Sequence, residues 1–132
     1  MPPIEIVFFK EGDETTPVLD WLRAMRQRDA RVMAKCLERI ERLAELGHEL
    51  RRPDADLLRD GIRELRIGFG GVNYRILYFL YKSTAAVLAQ GLTKEDKVPN
   101  RDIDLAIDRR RLFENDPDKH TYRNPERQPT DE

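Results

Sequence analysis

The stretch from Arg59 to Lys97 leaves this chain few ways to fold. It reads RDGIRELRIGFGGVNYRILYFLYKSTAAVLAQGLTKEDK. Three runs rich in β-branched and aromatic residues sit in it, Ile62–Ile67, Asn73–Tyr81 and Ala85–Leu92. Gly68, Gly70 and Gly71 separate the first two, and Lys82-Ser83-Thr84 the last two. Runs of this kind bounded by turn residues predict strands. Joined as a meander, antiparallel neighbours alternate in direction. The end of the first run, the start of the second and the end of the third then meet at one edge. Arg66 lies one residue inside the first end, Arg75 opens the second run and Lys94 follows the third. Cations from three strands should therefore converge there. Arg63 and Lys97 add charge to the same stretch. Glu64 shares strand parity with Arg66, which places both on one face.

The flanking segments predict what covers this sheet. Ile4–Phe9 is short and largely apolar and reads as a first strand. Thr16-Pro17 starts a helix, since proline at the first helical position forfeits no needed N–H. That helix should run to about Gln27 with Val18, Trp21, Leu22 and Met25 on one face, and Trp21 is expected as a core anchor. Asp29 can cap a second helix. In it Val32, Met33, Cys36, Leu37, Ile40, Leu43 and Ala44 follow the 3.6-residue period, and Gly47 closes it. Its other face, Arg31, Lys35, Glu38, Arg39, Glu41, Arg42 and Glu45, is expected to be solvated, with Glu38 and Arg42 paired. His48–Asp60 reads as a linker with Pro53 and a short apolar turn at Leu57-Leu58. Pro99-Asn100 opens a short third helix, capped by Asn100, with Ile103, Ala106 and Ile107 on its apolar face and Arg109–Arg111 at its end. From Glu114 on no periodic apolar residues remain, and a disordered tail is expected. The expected fold is α+β: one domain over residues 1–113 and a polar tail over 114–132. In it a twisted antiparallel sheet packs against a two-helix hairpin, with a short C-terminal helix.

A length of 132 residues suits one domain with a modest core. No apolar run reaches the roughly 18 residues of a membrane span. The opening MPPIEIVFFKEGDE lacks the layout of a signal peptide. Cys36 is the only cysteine, so no internal disulfide can form, and a cytoplasmic location is the default expectation. Cys36 falls in the apolar stripe and reads as a small core residue. The net charge of −1 hides an uneven distribution. Residues 114–132 hold three cationic against six acidic side chains, a net −3, which leaves +2 for residues 1–113. A mildly cationic body is compatible with nucleic acid. There is no GxxxxGK[ST] loop, no HExxH and no CxxC, and one Cys with two His makes no plausible zinc set. Gly68-Phe69-Gly70-Gly71 falls between two strands and reads as a hairpin turn, not a dinucleotide fingerprint. No cofactor and no metal is expected.

The order LLRDGIRELRI, a glycine turn, NYRILYF, VLAQGLTKEDK and then PNRDIDLAIDRR resembles the RelE/HigB toxins of type II toxin–antitoxin modules, and most of all their phage-derived, HigB-like branch. The resemblance implies a ribosome-dependent mRNA endoribonuclease that inhibits translation. It would act by attack of an RNA 2′-OH on the adjacent phosphodiester, chemistry that runs without a metal. Cations must then surround the phosphate as negative charge grows on it. The resemblance puts Arg66, Arg75 and Lys94 in the catalytic positions, Lys94 as phosphate ligand or proton donor. Guanidinium suits the first two, since it stays charged and grips phosphate oxygens in a fork. Glu64 could serve as general base or as a structural ion-pair partner. Arg63, Lys97 and Arg101 are expected to contact RNA. Arg75, at a strand end, is expected to carry little packing. The implied partners are the ribosome, mRNA and a cognate helix-turn-helix antitoxin in a toxin–antitoxin hetero-oligomer, with no membrane partner. Two other readings stay open: a non-catalytic gyrase poison of the ParE type, and an inactive remnant that only binds its antitoxin.

Overall fold

A computed structural model describes residues 3–93 and 97–122. The strands are β1 (Glu5–Phe9), β2 (Ala55–Arg59), β3 (Ile62–Phe69), β4 (Val72–Tyr81), β5 (Ala85–Thr93) and β6 (Thr121–Tyr122). The helices are α1 (Pro17–Arg28), α2 (Ala30–Leu46) and α3 (Asn100–Asn115). The fold is α+β, with one six-stranded sheet in the order β2-β3-β4-β5-β1-β6. The expected meander is present as β3-β4-β5. Arg66 lies opposite Arg75, and Arg75 opposite Leu92.

The sheet is mixed, which corrects the all-antiparallel expectation. β1 runs parallel to β5, with Val7 opposite Val87. Residues on both faces of β5 are buried, and in β1 Val7 and Phe9 are buried on one face while Ile6 and Phe8 are half-buried on the other, the composition expected where strands are covered on two sides. α1 and α2 pack on each other and against one face. There Val18, Leu22, Met25, Cys36, Ile40 and Leu43 meet Leu65, Ile67, Ile76, Tyr78 and Leu88. α3 covers part of the opposite face, where Ile103, Ala106 and Phe113 meet Leu77, Phe79, Val87 and Ala89. Trp21 is the anchor expected of it. Its indole Nε1 donates to Thr93 Oγ1 at 3.2 Å, and its ring lies over Gly91, where a Cβ would overlap it. None of the helices in the described residues is long and apolar enough to cross a membrane.

Several local expectations change. The apolar turn at Leu57-Leu58 is part of strand β2, whose Ala55, Asp56 and Leu57 pair with Leu65, Glu64 and Arg63. An edge strand need not alternate cleanly, and Leu57 is 54% exposed. The third helix is not short: it continues past Arg111 so that Phe113 buries against Phe79 and Tyr81. Pro99 occupies its cap position, and Asn100 is its first residue and makes no side-chain cap. Residues after Glu114 are not wholly without structure. Thr121 and Tyr122 pair with Phe9 and Phe8. Buried His120 stacks on Phe9, with ring centroids 5.2 Å apart, and its Nδ1 lies 2.7 Å from the Lys10 carbonyl. The remainder of the expected tail, 123–132, lies outside the described residues.

Candidate active site

Period-two alternation sorts the charges of β3. Leu65 and Ile67 face α1 and α2. Glu64 and Arg66 therefore project from the side that carries α3. Arg75 stands directly across from Arg66 and shares that side. The three residues form one cluster. Glu64 is 3% exposed. Its Oε2 accepts from Arg66 Nε at 2.9 Å and lies 2.8 Å from Arg66 Nη2. Its Oε1 sits 3.3 Å from Arg75 Nε, an ion pair without a hydrogen bond. Two guanidinium groups that would repel across a strand pair thus share one buried carboxylate. Of the two roles open to Glu64, the geometry favours the ion-pair partner, since both its oxygens already face cations.

The two arginines differ in access. Arg75 is 11% exposed and Arg66 38%. Arg75 is thus a largely buried ion-pair member, not a strand-end cation without packing. Arg66 turns Nε and Nη2 toward carboxylates, the second also reaching Asp56 Oδ2 at 3.3 Å, and its Nη1 has no partner among the described residues. That group can meet an incoming anion. A hydrogen bond from Arg52 holds the Asp56 carboxyl below its ordinary value, with the Leu57 N–H and the Arg66 charge acting the same way. Asp56 therefore remains anionic and tempers the positive charge around Arg66.

The backbone of Arg66 is clamped as well. Its N–H donates to the Asp54 carbonyl at 2.8 Å. Its carbonyl accepts from Arg39 Nη1 at 2.7 Å, and the same Nη1 donates to Asp54 Oδ1 at 2.9 Å. Arg42 Nε approaches Asp54 Oδ2 at 3.0 Å. Arg39 is 17% exposed. The face of α2 expected to be solvated therefore includes a residue committed to β3. Arg42 pairs with Asp54, and Glu38 with Lys35 at 3.4 Å.

The remaining expected residues are dispersed. Arg63 has the opposite parity and lies on the α1–α2 face, where its charge acts on the buried Tyr78 phenol. Lys97 and Arg101 are exposed at the start of α3. The first turn of that helix is tied down by Gln90 Nε2, which donates to the buried Asp102 carboxylate at 3.0 Å. Gln90 is two residues from Leu92, the partner of Arg75, so α3 begins beside the Arg66–Arg75 pair. Lys94 lies outside the described residues. Arg39, Asp54 and Asp56 were missed as site residues. The signal available was Asp54-Ala55-Asp56, which carries meaning only once Ala55–Arg59 is recognised as a strand beside β3. Among the described residues, no three His, Cys, Asp or Glu side chains gather to hold a metal ion.

The family model described as Phage derived protein Gp49-like (DUF891) matches residues 20–111, more than two thirds of the chain and all of β2–β5. No curated protein matches it significantly.

Proposed function

The chain belongs to the Gp49-like phage-derived family, a family of RelE/HigB-like toxins, and from that premise we propose that it is the toxin of a type II toxin–antitoxin module and cleaves mRNA on the ribosome. One observation carries the chemical part: Arg66 and Arg75 stand opposite each other and share the buried Glu64, with Arg66 38% exposed. In the proposed reaction the RNA 2′-oxygen attacks the adjacent phosphorus. The 2′-OH loses its proton, the 2′-O–P bond forms, the P–O5′ bond breaks and the 5′-oxygen takes up a proton. Products are a cyclic phosphate and a 5′-OH end. Negative charge grows on the non-bridging oxygens, and pre-oriented guanidinium groups stabilise it without reorganising. Arg66 Nη1 is the group best placed to meet those oxygens. Arg75 adds charge from behind, and Glu64 holds the pair. We assign Lys94 to the phosphate or the leaving oxygen, and Lys97 and Arg101 to flanking RNA. The proposed setting is the cytoplasm, with an antitoxin as the neutralising partner.

The test is single-turnover cleavage of mRNA on programmed ribosomes. Loss of one such donor costs on the order of 100- to 1,000-fold in rate. Arg66→Ala should fall in that range. Arg75→Lys should cleave with an intermediate rate, since it keeps the charge and loses the fork. A folded Arg66→Ala protein that cuts at the wild-type rate refutes the assignment. Pulse labelling after induction without the partner separates the targets. Protein synthesis should fall before DNA synthesis, and the reverse order replaces this reading with gyrase poisoning.

A further inference from the structure

We propose that Arg39, on α2, is a positioning residue that sets the register and aim of Arg66 through Asp54. The inference rests on the reading of Arg66 as a phosphate ligand.

The argument begins with how a cation on a strand is aimed. The side chain of Arg66 is long, and its direction depends on the peptide units on both sides of its Cα. Both are fixed from outside the β3–β4 ladder. The N–H is held by the Asp54 carbonyl at 2.8 Å, and the C=O by Arg39 Nη1 at 2.7 Å. Arg39 Nη1 also grips Asp54 Oδ1 at 2.9 Å, so the two holds form one closed unit: guanidinium, carboxylate, and the backbone of Arg66 between them. Both side chains are largely buried, at 17% and 20% exposure. Charge-assisted hydrogen bonds with little solvent access are the strong ones. Asp56, two residues beyond Asp54, then touches Arg66 from the front through Nη2. The segment 54–56 therefore brackets Arg66, and α2 holds that segment through Arg39 and Arg42. A surface helix with a solvated charged face needs none of this. An arginine spent on a strand carbonyl is explained if the strand residue must be held within a fraction of an ångström, the tolerance of phosphoryl chemistry.

The test pairs a catalytic with a spectroscopic readout on the full chain. Arg39→Ala, Arg39→Lys and Asp54→Asn are compared with Lys35→Ala, a half-exposed position on α2 paired with Glu38 and not with β3. In single-turnover cleavage, Arg39→Ala should lower the rate at saturating ribosome on the order of ten- to a hundred-fold. Half-saturation should stay unchanged, because no RNA contact is lost. Arg39→Lys should recover part of the rate, and Lys35→Ala should match wild type. Independently, the 15N signal of Arg66 Nε, which reports its bond to Glu64, should shift in Arg39→Ala while the signals of Val87 and Leu88 in β5 stay in place. If Arg39→Ala proves unstable, Asp54→Asn keeps the backbone acceptor and removes the charge that holds Arg39 and Arg42, and should show the same rate loss and shift. An unmoved Arg66 signal in folded variants overturns the proposal, whether or not the wild type cleaves RNA. A moved signal with an undiminished rate in an active enzyme also overturns it. Failure of the wild type to cleave, with the Arg66 signal moving as expected, removes the RNase reading and leaves the positioning of Arg66 standing.

Discussion

Replacing Glu64 by Ala tests whether the carboxylate holds the two arginines together. Its removal takes from Arg75, 11% exposed, the carboxylate that separates its charge from that of Arg66 directly across the strand pair. Breaking a buried ion pair by deleting one partner costs about 3–5 kcal/mol. Arg66, at 38% exposure, can turn to water, so its share is screened and small. The cost should therefore fall near the lower bound, about 3 kcal/mol. For a domain of this size that is a drop of about 10 °C in Tm. Arg75→Ala leaves Glu64 with Arg66 alone and should cost about 2 kcal/mol, less because Arg66 still neutralises the carboxylate. The double variant loses both buried charges at once. It should be more stable than the sum of the single effects by at least about 1 kcal/mol, the coupling expected of residues in one network. Urea unfolding followed by circular dichroism gives all four free energies. Additivity within about 0.5 kcal/mol refutes the shared-carboxylate argument.

Three further outcomes follow from features away from the cluster. Gly91→Ala should destabilise by about 1–3 kcal/mol, because the new Cβ must displace the Trp21 ring; urea unfolding checks the cost, and indole fluorescence should change in the native state. Asp29→Ala removes the cap at the start of α2, where the Asp29 carboxyl accepts from the Arg31 N–H. The Arg31 side chain and N–H lower the Asp29 pKa from 3.8, so this stabilisation is present above the unfolded value and is lost as pH falls through the lowered one. Thermal melts of wild type and Asp29→Ala should therefore differ at neutral pH and draw together as the pH falls from 3.8 through the lowered value. Burial pushes the Cys36 thiol up to about 11, so it stays protonated at pH 8. Its alkylation by iodoacetamide should be slow and should rise to the free-thiol rate in urea; rapid native labelling would contradict its place in the core.

Local pattern revealed the parts of the fold that rest on local pattern. Val32, Cys36, Ile40 and Leu43 repeat at helical spacing, and α2 buries them. Asp29 and Gly47 stand at the two ends of that helix as capping chemistry requires. β3, β4 and β5 fall within two residues of the expected runs because turn residues bound each of them. The placement of Arg66 beside Arg75 followed from the meander alone. What escaped depends on partners distant in sequence. Nothing in Ile4–Phe9 says that its neighbour is β5 and not β3, so the parallel pairing was invisible. β2 escaped because an edge strand with an exposed leucine has no alternation to read. Arg39 escaped for a related reason: on a helical wheel it belongs with Lys35 and Glu38, and only the position of Asp54 beside β3 draws it inward.

The place of β1 in the sheet has a consequence in time. Its two neighbours are β5, paired at Phe8 and Leu88, and β6, paired at Phe9 and Thr121. A growing chain makes β1 first and then waits for both. At about 5–20 residues per second, the 111 residues between Phe9 and Thr121 take on the order of ten seconds to appear. β3 and β4 are joined by a tight turn and can pair as soon as both exist. The nascent protein thus holds Arg66 and Arg75 opposite each other before the far edge of its sheet is closed. A binding partner made alongside it has that interval in which to reach an unfinished molecule.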